Sequence, residues 1–167
     1  MASKASIKGH PIHPVLVAFP IGLWVFSLVS DIIFLAGGSA TWGDVAFYTM
    51  GGGIVGALLA AIPGFVDLFS WSKSAVRTVG QWHMALNLTA VVIFAVNFML
   101  RLSGIYGYTL PFVLSMAGVL TIAISGWLGG EMVYRYRVVF EPHGMPGAPP
   151  SEAAPKREQE MAGAGRR

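Results

Sequence analysis

The sequence predicts an all-α integral membrane protein, built as a four-helix bundle of up-down topology. Hydrophobic residues make up 54% of the chain and charged residues only 11%, whereas charged residues are about a quarter of a typical soluble domain. Four mostly apolar runs of about 20 residues or more also follow one another, and each is long enough to cross a hydrocarbon core of ~30 Å. Composition and run length therefore point to the same class.

The four predicted helices cover, in chain order, about residues 14–36, 44–69, 81–102 and 111–136. Pro20 and Pro63 lie inside the first two helices. Proline removes a backbone hydrogen bond from a helix, so we expect a kink at each position. Because the connections are short, sequential helices should be antiparallel neighbours.

The two ends of the chain are polar. Residues 1–12 form a short N-terminal arm, and residues 13–140 form the transmembrane domain. Residues 141–167 consist mostly of Pro, Gly, Ala, Glu, Lys and Arg, with almost no large apolar side chains. Such a composition cannot bury a core, so we expect a disordered tail.

Lysine and arginine predict the orientation in the membrane. One end of the bundle collects the lysines of the arm, Lys73 and Arg77 between helices, and Arg135 and Arg137, whereas the other end carries only Arg101. The positive-inside rule therefore places both termini in the cytoplasm. The basic residues sit at helix ends and in the tail and do not form one basic face, so no nucleic acid partner is expected.

Five ionisable side chains should meet at the cytoplasmic end, because alternate helices run in opposite directions: His10, His13, Asp67, His83 and Glu131. Ionisable residues in membrane segments are costly and usually mark function or pairing. Imidazoles bind transition metals and haem iron, and carboxylates can complete a metal site. These five are therefore candidate metal ligands, and His13 with His83 could hold haem b or a transition metal between the first and third helices. The alternative is that they only cap helices and contact lipid headgroups or water.

Two further features concern the same helices. Residues before proline avoid the helical region, so His10 and His13 should be extended. On a polyproline-II path, residues three apart point the same way, so both imidazoles should lie on one side. Pro14 should be the first residue of the helix. At ~100° per residue, Asp31 shares a helix face with His13, and Arg101 shares one with His83. We expect Asp31 and Arg101 to pair, because an unpaired charge in a membrane is costly.

Glycine pairs and a weak internal repeat raise the question of helix association. Gly52 with Gly56, and Gly126 with Gly130, have the small-xxx-small spacing that lets membrane helices approach closely, and they are candidate surfaces for self-association. General glycine enrichment of membrane helices is the alternative. A histidine opens the first and third helices, and a glycine followed by a carboxylate closes the second (Gly64…Asp67) and the fourth (Gly126…Glu131). This pattern is compatible with an ancestral duplication.

Four segments carry a resemblance to a known family: His10-Pro11-Ile12-His13-Pro14-Val15-Leu16-Val17-Ala18-Phe19-Pro20-Ile21-Gly22, Gly64-Phe65-Val66-Asp67, His83 with Asn87, and Gly126-Trp127-Leu128-Gly129-Gly130-Glu131. Over about residues 8–140 the chain resembles a bacterial four-helix membrane family catalogued as domain of unknown function 2231. The resemblance implies a multi-pass protein of the bacterial inner (cytoplasmic) membrane and supplies no activity. Many members carry a histidine before the Phe-Pro pair. Here that position is Ala18, which weakens a haem or metal assignment.

Three functions remain open. The first is a small redox or metal-binding protein with His13 and His83 as ligands, which the iron–sulfur domains joined to some relatives favour and which would need a redox partner protein. The second is a non-catalytic scaffold or accessory subunit that binds lipid or partner subunits, with a purely structural polar cluster. The third is a small proton or metal-ion transporter. The chain has no cysteine and no nucleotide or hydrolase motif, so an enzyme is not indicated.

Overall fold

The structure is a computed structural model that describes residues 3–8, 10–71, 75–104, 107–136 and 138. Its helices are α1 (Ile12–Leu16), α2 (Ala18–Leu35), α3 (Ala40–Ser70), α4 (Ala75–Ser103) and α5 (Thr109–Tyr134). With α1 and α2 taken as one span, four segments are long and apolar enough to cross a membrane. The predicted all-α class with four candidate spans is confirmed. The predicted tail, with Lys73 and Arg137, lies outside the described residues.

The helical hydrogen-bond pattern of the first span is interrupted at Val17, three residues before Pro20. Pro20 has no N–H to donate to the carbonyl of Leu16, and its ring crowds that carbonyl, so the helical pattern fails one turn before the proline. Val17 itself keeps helical dihedrals, with φ −65° and ψ −20°, and its N–H donates to the His13 carbonyl. Helices α1 and α2 therefore form one continuous span in which the hydrogen bond at Pro20 is missing. The helix α3 continues through Pro63 without a break.

Helices α3 and α4 begin earlier than predicted, and the connections are shorter. Helix α4 starts at Ala75, not at about residue 81, because tertiary packing holds its first turns. Val76 lies in a small apolar cluster with Leu68, Trp71, Met132 and Val138. Residues 75–80, which read as part of a loop in the sequence, are thus helical. Neighbouring helices provide the contacts against which their apolar side chains pack.

The N-terminal arm is folded against the helices. Strand β1 (Ser6–Ile7) pairs antiparallel with strand β2 (His10–Pro11). Helix α1 begins immediately afterwards at Ile12, whose N–H donates to the Ala5 carbonyl at 2.9 Å. The prediction that His13 is extended is therefore wrong. Pro14 falls in the first turn, where a missing N–H costs no hydrogen bond, so it permits a helix that already includes His13.

The helices form two antiparallel hairpins, α1–α2 with α3 and α4 with α5, and the hairpins contact each other through α3 with α4 and α2 with α5. The central core consists of Trp24, Met50, Ala90, Phe94 and Ile122. Trp24 and Phe94 stack with ring centroids 4.3 Å apart, which joins the first and third spans at mid-height. Polar side chains lie at both ends of this apolar layer.

Candidate functional site: two polar clusters at the ends of the bundle

His13 is held by the second span of its own hairpin. Its Nδ1 lies 2.8 Å from the carbonyl oxygen of Ala60, and a carbonyl can only accept, so Nδ1 carries the hydrogen. The ring also packs against Gly64, where an added Cβ would lie 2.9 Å from Nδ1. Glycine is therefore needed at this close approach, and in the neutral imidazole Nε2 is the acceptor nitrogen.

His83 has the same arrangement and two additional partners, the Asn87 amide and the Ser125 hydroxyl, whose oxygen lies 3.0 Å from Nδ1. Its Nδ1 lies 2.8 Å from the carbonyl oxygen of Ser125, and the ring packs against Gly129. The Asn87 amide nitrogen lies 3.0 Å from Nε2 and also donates to the His83 carbonyl. Both ring nitrogens of His83 are thus engaged within the protein.

The two imidazoles face each other across the bundle. Their ring centroids are 6.2 Å apart and the ring planes are perpendicular. When both rings are neutral, each carries its hydrogen on Nδ1, which donates to the Ala60 or the Ser125 carbonyl. The Nε2 lone pair of His13 then has no hydrogen bond among the described residues. The pair is consequently asymmetric, with one free imidazole nitrogen and one that is occupied.

The other three candidate ligands lie elsewhere. The Asp67 carboxylate accepts hydrogen bonds from the Ser3 hydroxyl at 2.7 Å and the Ala5 N–H at 2.9 Å, so it fastens the N-terminal arm. Glu131 pairs with the exposed Arg135 one turn later, and this pairing raises the pKa of the Arg135 guanidinium.

His10 is exposed, and its Nδ1 lies near the Lys8 carbonyl oxygen. Within the described ranges, no three His, Cys, Asp or Glu side chains lie close enough to hold a metal ion. The structure brings together only His13 and His83 of the five candidates.

At the opposite end Asp31 and Arg101 form a buried bidentate ion pair. The two guanidinium nitrogens lie 2.8 Å and 2.6 Å from the two carboxylate oxygens, and the side chains are 0% and 6% exposed. The Tyr108 hydroxyl donates to Asp31 at 2.7 Å, and the Ser115 hydroxyl donates to it at 2.9 Å. The carboxylate is therefore fully coordinated by hydrogen-bond donors.

The remaining donors of this Asp31–Arg101 network are used in the same way. Arg101 Nε donates to the side-chain oxygen of Asn97, and the Asn97 amide donates to the Ser115 hydroxyl and the Pro111 carbonyl. Burial, and then the hydrogen bond to Asp31, raise the pKa of Tyr108 to about 12. The phenol thus stays protonated as a donor at neutral pH.

Comparison with known families identifies the chain. A family model described as "Predicted membrane protein (DUF2231)" matches residues 9–142. The chain belongs to this family. Comparisons with curated proteins and with solved structures found no match. Membership of DUF2231 agrees with the four candidate membrane spans and brings no activity with it.

For this DUF2231 protein, the sequence did not indicate the partners that determine each cluster. The carbonyls of Ala60 and Ser125 carry no side-chain signal, and Tyr108 reads as an ordinary interfacial aromatic residue. The sequence does place Asn87 on one helix face with His83, and Asn97 on one face with Arg101, because each pair is four residues apart.

The two glycine pairs proposed for self-association differ in their surroundings. Gly52 and Gly56 pack inside the chain against Leu23 and Pro20, respectively. Gly126 and Gly130 have no non-local atom within 4 Å of an added Cβ.

Proposed function

We propose that this protein is a non-catalytic membrane scaffold or accessory subunit, in which the polar side chains inside the spans hold the helices in register. One observation carries the proposal: apart from Nε2 of the half-buried His13, the polar groups inside the bundle already have protein partners. Among the described side chains, only Trp71 Nε1 is a buried polar atom without a hydrogen bond. A functional ion or cofactor site would need polar groups left free for the ligand.

The Asp31–Arg101 network, at the end of the bundle opposite the histidines, supports this assignment most strongly. Asp31 receives four donor contacts from Arg101, Tyr108 and Ser115, on three different helical or connecting segments. A carboxylate this buried with complete coordination has no lone pair directed to a substrate. Its removal would leave buried donors unpaired, which is costly in an apolar environment.

The apolar layer at mid-height gives no support to a transporter. The stacked rings of Trp24 and Phe94, packed with Met50 and Ile122, separate the histidines from the Asp31 network. A proton or metal ion would need a connected series of polar groups to pass from one to the other.

Visible absorption and elemental analysis of the detergent-purified protein test the scaffold proposal. We expect no Soret band before or after dithionite reduction, and no metal in stoichiometric amount. A Soret band, or about one metal ion per chain that is lost in both His13→Ala and His83→Ala, would overturn it. The variant His10→Ala is the control, because His10 is exposed and its Nδ1 lies near the Lys8 carbonyl oxygen, so it takes no part in the hydrogen bonds of the pair.

A second candidate function is the binding of one transition metal ion or haem b by His13 and His83, in an electron-transfer role. The observation that favours it is the hydrogen bond from each Nδ1 to a backbone carbonyl. Metal-ligating histidines usually donate their other ring nitrogen in this way, which orients Nε2 toward the metal. Against it, Nε2 of His83 already accepts from Asn87. Titration with Zn²⁺ or Cu²⁺ separates the two functions, since only a real site saturates at one ion and disappears in His13→Ala.

We further propose that the protein resides in the bacterial inner membrane with both termini in the cytoplasm. The lysine and arginine distribution supports this orientation. The chain contains no cysteine, so single cysteines report topology cleanly. In cells with a permeabilised outer membrane, an impermeant maleimide should label Ser39→Cys and should label Lys8→Cys only after the inner membrane is opened. The reverse pattern would invert the orientation.

A further inference from the structure

The two hairpins make the same contacts at equivalent positions. Ring nitrogen Nδ1 of His13 meets the Ala60 carbonyl, and that of His83 meets the Ser125 carbonyl, both at 2.8 Å. His83 lies 70 positions after His13, and Ser125 lies 65 positions after Ala60. One constant shift therefore relates the first and third spans, and another relates the second and fourth.

The same two shifts recur along the whole length of the hairpins. Trp24 packs on Gly53, and Phe94 packs on Gly118. The side chain of Ser27 donates to the Ala46 carbonyl at 2.7 Å, and that of Asn97 donates to the Pro111 carbonyl at 2.9 Å. The glycine equivalent to Gly64 is thus Gly129, not Gly126 as in the repeat suggested by the sequence. The two hairpins thus share equivalent contacts at three heights along their length, which is more than the general packing of two helices requires.

Residues of the first span also touch their own equivalents in the third. His13 faces His83, Trp24 stacks on Phe94, and Asp31 pairs with Arg101 across a separation of 70 residues. Contact between equivalent residues is the mark of a two-fold axis, where residue i meets residue i of the other unit. Parallel repeats related by such an axis along the membrane normal occur in other membrane proteins.

The charges on the axis break this symmetry. Position 31 is acidic and its equivalent, position 101, is basic. The donors around them come from one hairpin only: Tyr108 and Ser115 coordinate Asp31, whereas their equivalents are Gly43 and Met50. Gly43 leaves room for the Tyr108 hydroxyl, which would lie 3.7 Å from an added Cβ. The two hairpins have thus become complementary at this level.

We propose that the four spans are two copies of one helical hairpin, and that the opposite charges at positions 31 and 101 allow only unlike hairpins to pair. Two first hairpins would bury carboxylate against carboxylate, and two second hairpins would bury guanidinium against guanidinium. Like charges in so dry a site are strongly unfavourable, and such repulsion is how related interfaces exclude wrong partners. The partner that fits this axis surface is therefore a complementary hairpin, from the same chain or from a second copy.

Charge reversal in the full-length chain tests the proposal. Asp31→Arg and Arg101→Asp should each reduce the yield of monodisperse detergent-solubilised monomer by about tenfold or more, because each buries like charges on the axis. The double reversal restores opposite charges and should recover most of the yield. The matched control is the exposed pair Glu131–Arg135, where single reversals should have little effect. A double reversal as defective as the single variants would overturn the proposal.

Co-expression of the two single variants, carried on differently tagged chains, tests pairing between copies. Each hairpin of Asp31→Arg is complementary to the opposite hairpin of Arg101→Asp, so exchange of hairpins creates two proper ion pairs per dimer. The two tags should co-purify at a 1:1 ratio from this combination, and not from two wild-type chains. If both variants are present in the membrane and do not co-purify beyond the wild-type background, the pairing rule is wrong.

Discussion

Substitution of Gly118 by alanine tests how tightly Phe94 is held between Gly118 of its own hairpin and Trp24 of the other hairpin. An added Cβ would lie 2.6 Å from Cε2 of Phe94 and 2.7 Å from its Cζ. Phe94 is fully buried and stacks on Trp24 at 4.3 Å, so the ring has no space into which to retreat. Overpacking of a well-packed core costs about 1–3 kcal/mol, and we expect a loss of this size in the free energy of unfolding.

The control for this prediction lies on the same helix. At Gly126 nothing lies within 4 Å of an added Cβ, so Gly126→Ala should be neutral or stabilising by about 0.4–1 kcal/mol, since alanine restricts the unfolded chain. Both variants are compared by SDS-induced unfolding in mixed micelles, followed by tryptophan fluorescence. If Gly118→Ala is as stable as Gly126→Ala, the described packing of Phe94 is incorrect.

Three further predictions concern single polar groups. His83→Ala should destabilise the protein more than His13→Ala in the same unfolding assay. It removes not only the Nδ1 hydrogen bond to a backbone carbonyl but also the ring contacts with the Asn87 amide and the Ser125 hydroxyl. Each net hydrogen bond is worth about 0.5–1.5 kcal/mol, and equal losses would contradict the asymmetry. Asp67→Ala should release the N-terminal arm and speed tryptic cleavage at its lysines, whereas Glu131→Ala should not; unchanged cleavage would disprove the tether. Because the pKa of Tyr108 is raised to about 12, folding retains its proton where the unfolded phenol has lost it. Stability should therefore fall as pH rises from about 10 to about 12, and Tyr108→Phe should reduce that fall.

Much of the fold follows from local properties of the sequence. The length of an apolar run and the spacing of polar residues on one helix face do not depend on other helices, so four spans are predictable. The helical phase that places Asp31 and Arg101 on interior faces is also a property of each helix alone. In the structure these two side chains form the buried ion pair.

Helix ends and hydrogen-bond partners depend on other parts of the chain. Helix α4 begins at Ala75 because Val76 packs against Trp71 and Met132, a contact that no local pattern reveals. The histidines bind backbone carbonyls beside Gly64 and Gly129, and backbone groups are identical at every residue. The sequence therefore predicted that His13 and His83 lie at the same end of the bundle, but it did not predict the backbone groups to which they are hydrogen-bonded.

The coupling between Asp31 and Arg101 tests most directly whether buried polar contacts hold the two hairpins together. A double-mutant cycle with Asp31→Leu, Arg101→Leu and the double variant isolates the pairwise free energy. We predict that each single variant loses about 3–5 kcal/mol, because it leaves a buried charge unpaired, whereas the double variant loses much less. The coupling should therefore exceed about 1.5 kcal/mol. Additive losses, with a coupling below about 0.5 kcal/mol, would contradict the account.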